Sequence, residues 1–309
     1  MGARNAAHEA CWDRLYTSVT KTFTGALLAI AVREGEVQLD GPAAPYLPKA
    51  MCLPAARGKE ITFRHLITHS SGLPRVPDDF YGHGDPDNLY ATYRASDVIE
   101  FLGRWQPESA PGEKYSYSNL GVGLAGMALA HVKHLSYEEA IRSRICAPLG
   151  MSDTVVGLSR DQRSRLAPGY NLVRDGTRWT ALLAKEMQFT ECFAGCGALR
   201  STADDMLKFL VANLDEKSTP LGPVLARSHE PLFKVDESLS VAMGWQILRI
   251  QGPPGPLVFH PGGIAGYSTY IGFCKETDSG VVVLANGTNR VDDIAAGILC
   301  DISRMRTVE

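Results

Sequence analysis

The chain has 309 residues, 45% of them apolar and 21% charged, enough at ~100–200 residues per domain for two domains or one large one. That excludes a miniprotein stapled by disulfides or metal. Its 31 lysines and arginines stand against 34 acidic residues, a net charge of -3, so no broad basic surface recommends a nucleic acid or an anionic membrane as partner.

Apolar residues at near-helical spacing, Phe23, Leu27, Leu28, Ile30 and Ala31, predict a largely buried helix over 17–34, stopped by Gly35 and Asp40-Gly41-Pro42. A short helix over 61–69 ends in the turn Ser70-Ser71-Gly72-Leu73-Pro74, and the polar stretch after it, with Asp78, Asp79, Asp85 and Asp87, reads as a long surface loop. Helices are predicted over 96–105, 120–132, 136–145 and 201–214, the last two opening with capping boxes, Ser136 with Glu139 and Ser201 with Asp204. From about residue 240 the character changes. The runs 241–250, 257–260, 267–273 and 281–285 are rich in β-branched and aromatic residues between Gly/Pro turns, the pattern of antiparallel strands. A closing helix over 291–305 carries Ile294, Ile298 and Ile302 at i, i+4 and i+8, one face able to lie on that sheet.

Seven cysteines, Cys11, Cys52, Cys146, Cys192, Cys196, Cys274 and Cys300, are an odd number without paired spacing, which fits reduced thiols. Cys192 and Cys196 lack the two-residue gap of a zinc knuckle. His65 and His69 stand one helical turn apart without a glutamate between them or a third ligand, and the loop aspartates fit no calcium-loop spacing. No metal and no cofactor is expected. Trp105, Trp179 and Trp245 read as core or pocket wall. No run approaches the ~20 apolar residues of a membrane-spanning helix, and no apolar stretch of a secretory leader follows Met1-Gly2-Ala3-Arg4-Asn5. The expectation is a cytoplasmic protein as written, or an exported one if a leader lies upstream.

Three short motifs carry chemistry. In Ser18-Val19-Thr20-Lys21 an i, i+3 pair on a helix brings an amine within reach of a hydroxyl, and the positive helix end favours its alkoxide-like form. Alone, the motif also fits a capping serine followed by a solvated lysine. In Tyr117-Ser118-Asn119, the hydroxyl suits proton relay and the amide suits substrate binding, although Asn119 also fits a cap for the helix starting at Leu120. In Phe259-His260-Pro261-Gly262-Gly263, placed between predicted strands, glycines admit a substrate backbone and aim a free N–H at an oxyanion; a plain turn is the alternative.

Taken in order, these motifs resemble the serine β-lactamase and penicillin-binding-protein superfamily, most of all its class C branch of cephalosporinase-like enzymes, D-peptidases and family VIII carboxylesterases. The likeness extends to 18–25 (SVTKTFTG), 61–74 (ITFRHLITHSSGLP), 111–121 (PGEKYSYSNLG), 197–205 (GALRSTADD) and 260–273. It implies an α+β (α/β three-layer) fold: an antiparallel sheet flanked by helices, built from 1–60 and 195–309, plus a mostly helical domain over 61–194. It also implies a serine hydrolase. Ser18 would be the acylated nucleophile, Lys21 and Tyr117 the base system, Asn119 the binder of the acyl side, and His260, Gly262 and Gly263 the strand wall, with the N–H groups of Ser18 and Gly263 as oxyanion hole. Pro261 and a neutral His260 stand where relatives often carry a hydroxyl and a lysine, which widens the substrates from lactams to esters and peptide-like amides. Only 17 residues precede Ser18, where relatives usually carry a helix and two strands, so the sheet is expected to lack its N-terminal strands and to leave an edge open to a second copy. A catalytically silent scaffold that keeps the motifs is the alternative reading.

Overall fold

The computed structural model describes residues 18–306. The residues expected to be too few for a strand pair before Ser18 lie outside that range. After a first hairpin, β1 (Tyr170–Asp175) and β2 (Arg178–Leu183), six strands, β3 (Phe233–Lys234), β4 (Leu239–Val241), β5 (Gln246–Leu248), β6 (Leu257–Ile264), β7 (Tyr267–Cys274) and β8 (Ser279–Ala285), form one antiparallel sheet in chain order. Among the described residues β8 pairs with β7 alone in that sheet.

The period of two along β7 sorts its side chains between two cores. Ile271 and Phe273, across from His260 and Val258, are buried among Phe23, Phe209 and Trp245. Tyr270 faces the other way, with Phe259 of β6, onto Val291 and Ala295. Helices Thr20–Arg33 and Ala203–Leu214 therefore cover one face and helix Asp292–Met305 the other.

The closing helix corrects the predicted face. It seats Ala295 and Leu299 on the sheet, while Ile294 is 63% and Ile298 42% exposed. The small alanine lets the helix approach closely, and the isoleucine row turns aside. Trp179 is another correction: it is exposed on β2, whereas Trp245 is buried.

The chain between residues 63 and 149 is mostly helical, with Phe63–Ile67, Ala95–Arg104, Asn119–His131 and Tyr137–Ile141 its main helices. Ser136 and Glu139 form the predicted capping box, while the cap before Ala203 is Thr202, which accepts from Asp205 N–H, rather than Ser201. An unpredicted hairpin, β1 (Tyr170–Asp175) and β2 (Arg178–Leu183), turns at Gly176 with φ 56°. The dipeptide Asp175-Gly176 signals such a turn, but β2 is exposed throughout and shows no buried alternation.

Helix Thr20–Arg33 is buried on all sides over its first twelve residues, so it shows little one-sided patterning. Its backbone lies directly against the turn before β5: a Cβ on Gly25 would stand 1.8 Å from the carbonyl oxygen of Met243. Helix Asn119–His131 packs as closely on helix Glu191–Gly197, where a Cβ on Gly123 would meet the Cys192 carbonyl at 2.1 Å. These two contacts set the positions of Lys21, Asn119 and Cys196. Among the described residues no helix is long and apolar enough to cross a membrane.

Candidate active site

Ser18 lies just before the N-cap of helix Thr20–Arg33, and both it and Lys21 are completely buried. The Lys21 Nζ donates to Ser18 Oγ at 3.1 Å and to the Cys196 carbonyl at 2.8 Å. Burial lowers its pKa to about 8, the Cys196 thiol opposing this and the Arg75 charge adding to it. A lysine with a pKa near 8 is partly neutral at physiological pH, as a base requires.

Tyr117 reaches the same hydroxyl from the helical side. Its OH donates to Ser18 Oγ at 2.6 Å, and burial holds its pKa above the ordinary phenol value, against the lowering effect of that bond. The ring stacks on His69 at 4.2 Å. His69 in turn is held in a left-handed conformation, φ 59°, where its Nδ1 accepts from Ser118 N–H at 3.1 Å. His69 is thus outside the helix Phe63–Ile67 and cannot pair with His65 on one helical face, as the metal reading required. Among the described residues no cluster of three metal-ligating side chains occurs.

Asn119 is the first residue of its helix, and Ser118 rather than Asn119 is the cap, accepting from Gly121 N–H at 2.8 Å. The Asn119 amide donates to the Tyr90 hydroxyl at 2.8 Å, which leaves Oδ1 buried without a partner. A buried unpaired acceptor is costly to keep, and a substrate N–H would satisfy it.

On the opposite side, His260-Pro261-Gly262-Gly263 is a continuous part of β6 and not a turn between strands. It pairs with β7 through Gly262↔Thr269 and Gly263↔Ser268, whereas β5 accompanies β6 only as far as Phe259. From His260 onward one side of β6 is free of β5 and faces the site. His260 is buried, its Nδ1 2.6 Å from the Pro261 carbonyl, and burial lowers its pKa to about 3 with the Lys21 charge assisting. It is therefore neutral.

The seven sequence-predicted residues lie on three elements and the chain entering them: Ser18 and Lys21 at the start of helix Thr20–Arg33, Tyr117 and Asn119 at the start of helix Asn119–His131, and His260, Gly262 and Gly263 on β6. Solvent reaches the group at Tyr117 and Gly263, which are half-buried. A separate cavity of about 430 Å³ lies beside it, lined by Val19, Met187, Ile264, Thr269 and Leu284, and contains none of the seven. Sequence reasoning missed Tyr90, the Cys196 carbonyl and Arg75. Their roles arise from contacts between distant segments; Cys196, like His69, had drawn notice only in a metal reading.

The family described as Beta-lactamase matches this chain over residues 15–299. The chain is 29% identical over 305 residues to a β-lactamase of Escherichia coli (strain K12), covering 87% of this chain and 74% of that protein. It is 27% identical over 296 residues to the D-alanyl-D-alanine-carboxypeptidase/endopeptidase AmpH of the same organism, covering 91% of this chain and 73% of that protein. Its fold is similar to that of a β-lactamase/D-alanine carboxypeptidase from Yersinia pestis, with a TM-score of 0.77 at 23% identity over 95% of this chain and 83% of the other.

Proposed function

The chain belongs to the β-lactamase family, a family of serine hydrolases, and we propose that it cleaves an ester, amide or lactam through an acyl-enzyme on Ser18. The observation that carries this reading is the double engagement of Ser18 Oγ, by Tyr117 OH at 2.6 Å and Lys21 Nζ at 3.1 Å. These are the contacts through which a hydroxyl loses its proton as it attacks.

In the first half-reaction Ser18 Oγ bonds to the substrate carbonyl carbon, and its proton passes to neutral Lys21. The bond to the leaving group then breaks. That group takes a proton back through Lys21 and Tyr117, and the acyl group stays on Ser18. Backbone N–H groups of Ser18 and Gly263 stabilise the oxyanion, an effect worth ~3–4 kcal/mol per donor. In the second half-reaction a water gives a proton to the same pair and adds to the acyl carbon; the bond from that carbon to Ser18 Oγ then breaks, Oγ takes the proton back from the pair, and the acid is released with Ser18 restored. Asn119 holds the acyl side through its unpaired Oδ1. The relatives named above are enzymes, and nothing in them favours the silent-scaffold reading.

The test uses nitrocefin and p-nitrophenyl acetate with the protein and its Ser18→Ala variant, together with intact-mass analysis after a fluorophosphonate probe. The expected result is a single adduct on Ser18 and a loss in the variant of at least about 10³-fold. Equal residual turnover in both proteins would remove Ser18 as nucleophile.

A further inference from the structure

Tyr117 meets Ser18 Oγ at 2.6 Å, yet it stands on a segment, residues 114–118, that has neither helix nor strand to hold it. A side chain on such a segment keeps its place only where other groups fix the backbone on both sides of it. Here both fixing bonds go to one residue. The Ser116 N–H donates to the His69 carbonyl at 2.7 Å, and the Ser118 N–H donates to His69 Nδ1 at 3.1 Å. Between them the Tyr117 ring lies on the same imidazole, 4.2 Å away and 29° from parallel, and Tyr115 packs T-shaped against it at 5.8 Å.

His69 is itself firmly held. It is buried, and its φ of 59° is a left-handed conformation that a residue with a Cβ adopts at a cost. In that conformation it presents both its carbonyl and its ring to the segment bearing Tyr117. The next residue is tied on both sides: Ser70 N–H donates to the His65 carbonyl at 3.0 Å, and the Ser70 carbonyl accepts from Gly112 N–H at 2.8 Å. The imidazole is no spare base. Its Nδ1 already accepts from Ser118, so the neutral ring carries its proton on Nε2. Burial, with Lys21 and His260 adding to it, holds the pKa of His69 well below the ordinary histidine value.

We propose that His69 is a positioning residue of the reaction, which sets the place of the Tyr117 hydroxyl against Ser18 and leaves the chemistry to Tyr117 and Lys21. The proposal rests on the hydrolase reading above. A strained, buried residue that touches the proton-relaying ring but not the reacting atoms fits that role.

A double-mutant cycle separates positioning from mere support. On p-nitrophenyl acetate, His69→Ala is expected to lower kcat about 30-fold, with KM changed less than about threefold. In the Tyr117→Phe background no hydroxyl is left to place, and the same substitution is expected to cost less than about twofold more. His69→Asn puts Oδ1 where Nδ1 stood and adopts the left-handed conformation readily, so kcat is expected to recover to within about fivefold of the unaltered protein. That residual loss should likewise vanish in the Tyr117→Phe background, which keeps the cycle readable if the alanine variant does not fold. The limb of the pH profile near 8 should stay in place, because Lys21 is untouched. A further loss of about 30-fold from His69→Ala in the Tyr117→Phe background would overturn the proposal. So would a loss carried by KM, a shifted limb, or a His69→Asn variant no better than His69→Ala. The fluorophosphonate probe keeps these outcomes apart from a failure of the hydrolase reading. An adduct on Ser18 with additive losses defeats the role of His69 alone, whereas neither adduct nor turnover in the unaltered protein defeats the hydrolase reading and this proposal with it.

Discussion

On the helical wall of the cleft Lys21 is buried beside Ser18 with a pKa of about 8, while across from it His260 on β6 is equally buried and, with a pKa of about 3, uncharged. Both are bases removed from water, and burial pushes both toward their neutral forms. Lysine starts from 10.5 and arrives in the range where it exchanges protons; histidine starts from 6.5 and leaves it. The same burial makes one wall reactive and the other inert. The inert wall contributes backbone and shape.

The largest break in this contrast is expected from Lys21→Met. Removing the base should lower kcat/KM by about 10³-fold on p-nitrophenyl acetate. The same substitution is expected to stabilise the protein at pH 7, by ~1–3 kcal/mol in chemical denaturation. A folded-state pKa near 8 against 10.5 unfolded means that the folded chain binds protons less well, a cost of roughly 3 kcal/mol at pH 7, part of which the lost hydrogen bonds offset. Because the unfolded state binds more protons between about 8 and 10.5, the parent's stability rises with pH there, and its deficit relative to Lys21→Met should narrow by pH 10. A destabilised Lys21→Met at pH 7 would contradict this account.

The pH profile sharpens the same comparison. With neutral Lys21 as base, kcat/KM on p-nitrophenyl acetate should rise about tenfold per pH unit below a pKa of about 8 and level off above it. A flat profile between pH 6 and 9 would take the base role from Lys21. Tyr117→Phe should cost about 10²-fold in kcat, with KM little changed, because it removes a proton path while His69 still has a ring to stack on. The smallest effect is expected on the strand wall. His260→Gln keeps a neutral polar group and should change kcat/KM by less than about tenfold while leaving the limb near pH 8 in place. Loss of that limb would make His260 a titrating participant after all.

Much of the fold and the candidate site could be read from the chain because the informative residues are local. Ser18 and Lys21 are one turn apart, Tyr117 and Asn119 flank a helix start, and the strands after residue 240 are rich in β-branched and aromatic residues between Gly/Pro turns. Three features escaped for distinct physical reasons. Pro261-Gly262-Gly263 has turn chemistry, yet a strand with one side free of β5 tolerates a residue without an N–H. The closing helix carries two adjacent rows, and the more apolar one, Ile294 and Ile298, is not the one on the sheet, because alanine and leucine in the other permit closer packing. The charge of Arg75 falls on Tyr117 through a fold-level meeting of residues 42 positions apart, which no spacing in the sequence announces.

The contact between helix Thr20–Arg33 and the turn before β5 involves backbone on both sides. Gly244, at φ 74°, stands so close to the Lys21 carbonyl that a Cβ there would lie 2.0 Å from its oxygen. Side chains in a core exchange rotamers and tolerate small losses of volume, but two backbones in contact have nothing to exchange. The gap between Ser18 and strand β6 is therefore gauged by a hard stop, like the jaws of a calliper. Substitutions at Gly25 or Gly244 are therefore expected to change the width offered to a substrate, beyond whatever they cost in stability.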